Sequence, residues 1–139
     1  MKKHILIPSF IKIFFLLLLL GMCGMACFSC QQEGQPLDIA PEEFVKMIPF
    51  SSNEVILDVR TKGEYNQGHL ENAVLIDMYQ QGFKEKIKNL DPAKTYYVYC
   101  YSGSRSKSAV KIMRKEGLDA FNIKGGTIRL SKTNISFVK

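Results

Sequence analysis

The residue of this chain best equipped for covalent chemistry is Cys100, in the stretch YYVYCYSGSRSKSAVKIM. An apolar run ends at the cysteine, Tyr101, Ser102, Gly103 and Ser104 follow as a turn-forming loop, and a helical pattern resumes around Arg105. Such a loop can wrap its backbone N–H groups around a sulfur atom, and Gly103 permits the backbone angles that a tight cradle requires. The N-terminus of the next helix adds a positive partial charge. A thiolate in these surroundings has a lowered pKa and becomes a nucleophile at neutral pH. Arg105 contributes a fixed cation whose planar fork suits an oxyanion. The same two residues also fit a buried cysteine with a surface arginine beside it, because free cysteine is among the most buried residue types.

The elements around the loop place it. EVILDV ends in polar residues at 58–60, AVLID spans 73–77, and TYYVYC and DAFNI complete four short apolar runs of strand type, the third rich in aromatic and β-branched residues. Helical patterns alternate with them. One starts at Pro41, Glu42 and Glu43 with Phe44, Val45 and Ile48 as its apolar face. A second runs through Phe83, Ile87 and Leu90, and a third carries Ala109, Ile112 and Met113 on one face and stops at Gly117. Strands alternating with helices predict an α/β fold with a parallel sheet covered on both faces. In such sheets the functional crevice lies at the carboxyl ends of the strands, and Cys100 is expected as the last residue of a central one. The tyrosines at 96, 97 and 99 alternate between the faces as packing residues, whereas Tyr101 lies in the loop and can line the entrance.

Composition narrows the function classes. The chain has 139 residues and a formal net charge of +6. Met1, Lys2 and Lys3 form a basic start, and residues 13–28, IFFLLLLLGMCGMACF, carry no charge, the pattern of an export signal's apolar core. Residues 1–30 are therefore expected to be a leader or membrane anchor, 31–36 a polar tether and 37–139 the folded domain. Lys2, Lys3 and Lys12 fall within the leader and all 13 acids beyond it, so the remainder has 16 basic residues against 13 acidic ones, a net +3. That is too mild to argue for nucleic acid. KEKIK at 84–88 mixes signs like the wet face of a helix. Beyond the leader Cys100 is the only cysteine, which rules out an internal disulfide, a CxxC-type redox centre and a four-cysteine zinc site in the domain. Gly125 and Gly126 are expected to form a tight turn passing close to the active loop, since no strand-then-GxGxxG arrangement is present.

Four motifs in order resemble the rhodanese domain, the single-domain sulfurtransferase family: Asp58 to Arg60 as D-V-R, Glu64 to Leu70 as E-Y-x-x-G-H-L, Cys100 to Ser106 as C-x-S-G-x-R-S, and the pair Gly125 and Gly126. The resemblance runs from about Leu37 to Lys139. It implies a central parallel sheet of about five strands with helices on both faces, and an active-site cysteine that cycles through a persulfide. On that basis Cys100 takes the outer sulfur of a small anionic donor such as thiosulfate and passes it to cyanide or a thiol. Arg105 binds the anion, and Tyr101, Ser102, Gly103 and Ser104 form the cradle. Asp58, Arg60, Glu64 and His69 support the loops around the pocket, and no metal or organic cofactor is required. The leader resembles a bacterial lipoprotein signal. Cys27 after Ala26 and Cys30 after Ser29 are the lipidation candidates, and an uncleaved anchor or a fully cleaved signal is the alternative. The domain is thus expected to be exported and membrane-anchored at the cell envelope.

Two departures from the family pattern stand out. The family usually has an aromatic residue four positions after the paired glycine, where this chain has Leu130, so the last helix is expected to be short or loosely docked. Tyr101 occupies the position where thiosulfate-preferring members often carry a basic residue. Two other readings stay open. One is a non-enzymatic persulfide carrier or sulfur sensor that docks to a partner. The other is a phosphatase or arsenate reductase, although the phosphatases that share this fold place five residues between cysteine and arginine, and this loop has four.

Overall fold

A computed structural model describes residues 37–49 and 51–139. The leader, the lipidation candidates Cys27 and Cys30, and the polar tether lie outside the described residues. The elements are β1 (Asp38–Ile39), α1 (Pro41–Lys46), β2 (Glu54–Asp58), α2 (Lys62–Gln67), β3 (His69–Leu70), β4 (Val74–Leu75), α3 (Phe83–Lys88), β5 (Thr95–Tyr99), α4 (Ser104–Lys115), β6 (Asp119–Ile123), α5 (Gly126–Leu130) and β7 (Phe137–Val138). Five strands form one parallel sheet in the order β1-β6-β5-β2-β4. A separate antiparallel pair joins β3 to β7 through His69 opposite Val138 and Leu70 opposite Phe137.

The period-two alternation of the central strands decides which helices cover which face. Leu57, Tyr96, Val98 and Ala120 point to one side and pack with Phe83 and Ile87 of α3 and with Ala109, Val110 and Met113 of α4. Ile56, Tyr97, Tyr99 and Ile123 point to the other and meet Phe44 of α1 and Leu130 of α5. Each fully buried aliphatic side chain contributes roughly 1.5–3 kcal/mol from removal of its surface from water, so the two-sided core clamps β5 on both faces. That places the loop after β5 between two helices, α4 on one face and α5 on the other.

Several expectations are adjusted by the fold. Cys100 is not the last residue of its strand: β5 ends at Tyr99, and the cysteine already belongs to the turn. AVLID contributes only Val74 and Leu75 as strand. The fifth strand is the two-residue β1, too short to carry a period. α1 stops at Lys46, and Ile48 lies beyond it, exposed at 41%, so Phe44 is the helix's buried anchor. α2 has no buried residue and is set instead by a capping box: Glu64 N–H donates to Thr61 Oγ1, while the Glu64 carboxylate accepts from Thr61 N–H. The last helix is short, with five residues, but it is not loosely docked. Leu130 is fully buried in the place expected to weaken it.

The turn that starts α5 touches the loop after β5. A Cβ built on Gly126 would collide with the carbonyl oxygen of Cys100 and lie 2.7 Å from that of Tyr101, and Gly126 sits at φ +54°. Gly82 also has positive φ, +83°, but nothing within 4 Å of such a Cβ. Gly82→Ala is therefore expected to cost roughly 1–2 kcal/mol from the left-handed backbone alone, and Gly126→Ala about twice that or more because the steric clash is added. Urea midpoints at unchanged m-value measure both. Equal losses at the two positions would show that the approach to the loop carries no energetic weight.

Candidate active site

The cradle around Cys100 follows from where two carbonyls point. Thr127 N–H donates to Cys100 O at 2.8 Å and Ile128 N–H to Tyr101 O at 3.2 Å, both from the first turn of α5. The Thr127 hydroxyl adds a third donor to Tyr101 O at 3.2 Å. In a trans peptide the N–H lies opposite its C=O. Tying these oxygens to α5 therefore turns the N–H groups of Tyr101 and Ser102 away from α5. Gly103, at φ +91°, then bends the chain into α4, and its N–H donates to Cys100 Sγ at 3.1 Å. A side chain on Gly103 would lie 2.8 Å from Gly125 N, so Gly103 is needed for this close approach.

Cys100 is fully buried. Burial pushes its thiol up, but hydrogen bonding within the loop, including the backbone N–H groups of Ser106, Gly103 and Ser102, works against that and leaves the thiol below its ordinary value. The Ser106 hydroxyl stands 3.4 Å from Sγ and donates to Asn122 Oδ1 at 2.6 Å. Asn122 Nδ2 in turn donates to Asp38 Oδ1 at 2.7 Å, and Lys107 Nζ reaches Asp38 Oδ2 at 3.2 Å. Ser106 belongs to a motif already noted, but Asn122 and Asp38 were missed as site residues. The signal for Asn122 was present, an amide in the middle of the apolar run DAFNI.

Arg105 reaches over the loop but does not offer a free fork. Its Nη1 and Nη2 donate to Glu64 Oε2 and Oε1 at 2.8 and 2.6 Å, and its guanidinium lies 5.7 Å from the centre of the Tyr79 ring. The guanidinium, with help from Thr61 and against partial burial, holds the Glu64 carboxyl down at about 2. Glu64 therefore does two jobs, capping α2 and fixing Arg105. An anion approaching Arg105 must share or displace this carboxylate.

The other sequence-selected residues brace the neighbouring turn. Arg60 Nε and Nη2 grip the buried Asp58 carboxylate at 2.9 and 2.5 Å, and Nη2 also donates to Gly68 O at 2.8 Å. This couples the end of β2 to the turn before β3. His69 stacks on Tyr65 with ring centres 3.7 Å apart and places Nδ1 3.1 Å from Tyr65 O. It does not enter the sulfur's surroundings. Tyr101 is 56% exposed. With Glu64, Arg60, Ile128, Lys132 and Phe137 it lines a cavity of about 610 Å³ beside the loop, and Cys100 does not line that cavity.

Because Glu64's folded pKa is depressed from 4.5 to about 2, the unfolded chain binds more protons between those values. The pair's contribution is thus fully present above about pH 4.5 and lost as pH falls toward 2. After allowance for solvent screening it amounts to roughly 1 kcal/mol. The stability gap between the native chain and Glu64→Gln should narrow over that window in urea melts and hold steady from pH 5 to 7. A constant gap down to pH 2 would contradict the pairing.

A family model described as the rhodanese-like domain matches residues 40–130. Among curated proteins, the chain is 36% identical over 95 residues to the tRNA uridine(34) hydroxylase of Cytophaga hutchinsonii, covering 66% of this chain and 30% of that protein. It is 35% identical over 71 residues to the putative sulfurtransferase YtwF of Bacillus subtilis, covering 51% of this chain and 67% of that one. The chain spans less than a third of the first of these relatives. Among solved structures, a rhodanese-like domain protein from Staphylococcus aureus superposes with a TM-score of 0.64 at 27% identity, covering 75% of this chain and all of that one.

Proposed function

This chain belongs to the rhodanese-like domain family, and from that premise we propose that it moves a sulfane sulfur from a donor to a thiophilic acceptor through a persulfide on Cys100. The observation that carries the reading is the Gly103 N–H aimed at a buried Sγ at 3.1 Å, in a loop whose carbonyls are tied back to α5. In the first step the Cys100 thiolate attacks the outer sulfur of the donor. A new S–S bond forms, the donor's own bond to that sulfur breaks, and the electron pair leaves with the remainder, as sulfite if the donor is thiosulfate. The negative charge then sits on the outer sulfur of Cys–S–S⁻, where inward N–H groups and the N-terminus of the twelve-residue α4 stabilise it without reorganising. In the second step a thiol or cyanide attacks that outer sulfur and Cys100 leaves as thiolate.

Arg105, held by Glu64, fixes the far wall of the loop and meets an anionic donor only at the expense of that pair. The compact loop, with four residues between Cys100 and Arg105, favours one sulfur atom over a phosphate. From the uncharged run at 13–28 we also place the domain at the cell envelope, anchored through acylation at Cys27 or Cys30. Metabolic labelling with a fatty-acid probe, lost in Cys27→Ala or in Cys30→Ala, tests that placement, and labelling of neither cysteine overturns it.

Sulfur transfer is tested by mass. After brief exposure to thiosulfate or a low-molecular-weight persulfide, the Cys100 peptide should gain one sulfur, and cyanide should remove it over repeated cycles. Cys100→Ser should gain none. A single stoichiometric load that no small acceptor discharges would mark a carrier instead, and no load from either donor would overturn the reading.

A further inference from the structure

The contact between Ser106 and Cys100 contains a choice that the distances decide. A serine hydroxyl has one proton, and here two acceptors face it: Asn122 Oδ1 at 2.6 Å and Cys100 Sγ at 3.4 Å. Which end of the Asn122 amide faces Ser106 is settled by Asp38, whose carboxylate oxygen stands 2.7 Å from the other end. A carboxylate accepts only, so the NH₂ must point to Asp38 and the carbonyl to Ser106. The amide carbonyl has no proton to give, so the Ser106 proton occupies the 2.6 Å contact. Sγ is left facing a serine lone pair.

We infer that Asp38 and Asn122 are positioning residues for the sulfur chemistry: they draw the Ser106 proton away from Cys100 and so disfavour charge on Sγ itself. The inference rests on the persulfide reading for its consequence. In Cys–S–S⁻ the inner sulfur is nearly neutral and the charge sits on the outer atom, among the loop N–H groups. A lone pair beside the inner sulfur penalises the empty thiolate and leaves the loaded form untouched. The chain of contacts therefore favours loading from a site 29% exposed at its far end, the Asp38 side chain. The charged groups facing this chain are Lys107, bonded to Asp38, Lys124, near Asp38, and Arg105, paired with Glu64 and near Cys100. Asp38 is held ionised chiefly by its bond from Asn122, so the arrangement persists through the neutral range.

The test reads the thiolate directly and needs no sulfur donor, so its outcome is separate from whether Cys100 carries sulfur. The rate of iodoacetamide alkylation at Cys100 is followed against pH on the full chain by peptide mass. Asp38→Ala frees the Asn122 amide to turn, releases the Ser106 proton to Sγ, and should lower the alkylation midpoint by about one pH unit. Loss of a nearby negative charge would act in the same direction through space, so the comparison is repeated with Ser106→Ala. In that background Asp38→Ala should keep only the through-space part, a clearly smaller shift than with the serine present. An equal shift with and without the serine, or no shift in either, overturns the inference. Asn122→Ala gives the same reading without removing a charge, and it should lower the midpoint only when Ser106 is present.

Discussion

The sulfur site depends on two backbone carbonyls being held away from the sulfur. Cys100 O and Tyr101 O are claimed by donors from the first turn of α5. If either turned inward, a carbonyl dipole would replace an N–H dipole beside the sulfur, where the proposed reaction develops negative charge. In a buried site that reversal costs far more than it would in water. Much of the rest follows from this tie. The paired glycines allow the two backbones to touch, Leu130 anchors the short helix that supplies the donors, and the alternating burial of β5 fixes the loop between α4 and α5.

The charges are arranged to leave the sulfur to neutral dipoles. Arg60 is consumed by buried Asp58 and by Gly68 O, and Arg105 by Glu64. These pairs set geometry more than field. Asp58 and Arg60 join β2 to the turn before β3, while Glu64 ties α2 to α4 across the mouth of the loop. Paired ions of this kind contribute modestly to stability where exposed, but they hold the loop's neighbours in fixed relation, and preorganised dipoles require fixed neighbours.

The sequence made the site more legible than the scaffold. Cys100, Gly103 and Arg105 announce themselves because a strand, a turn and a helix must each use distinct residue types, and the four motifs in order identified the family. The parallel sheet was legible from the apolar runs that hold β2, β4, β5 and β6 and from the helical patterns between them. β1, β3 and β7 were not, because two-residue strands carry no period and are set by tertiary pairing, and β4 keeps only two of the five residues of the AVLID run. α2 was hidden for a different reason: it has no fully buried residue, only Tyr65 packed part-buried against the core, and its local signal is the Thr61–Glu64 capping box. The docking of α5 was misjudged because a missing aromatic was read as missing anchorage, whereas Leu130 fills the space. Two partnerships lay beyond any local pattern. Glu64 meets Arg105 across 41 residues, and Asp38 meets Asn122 across 84.

The most direct measurement is the amide ¹H–¹⁵N spectrum of the chain before and after loading Cys100 with one sulfur. If the loop amides hold the anion, the N–H resonances of Ser102, Gly103 and Ser106 should move downfield on loading and return on discharge, with the amides of β2 unmoved. Loading that leaves these resonances in place would contradict the cradle and move the anion's support elsewhere.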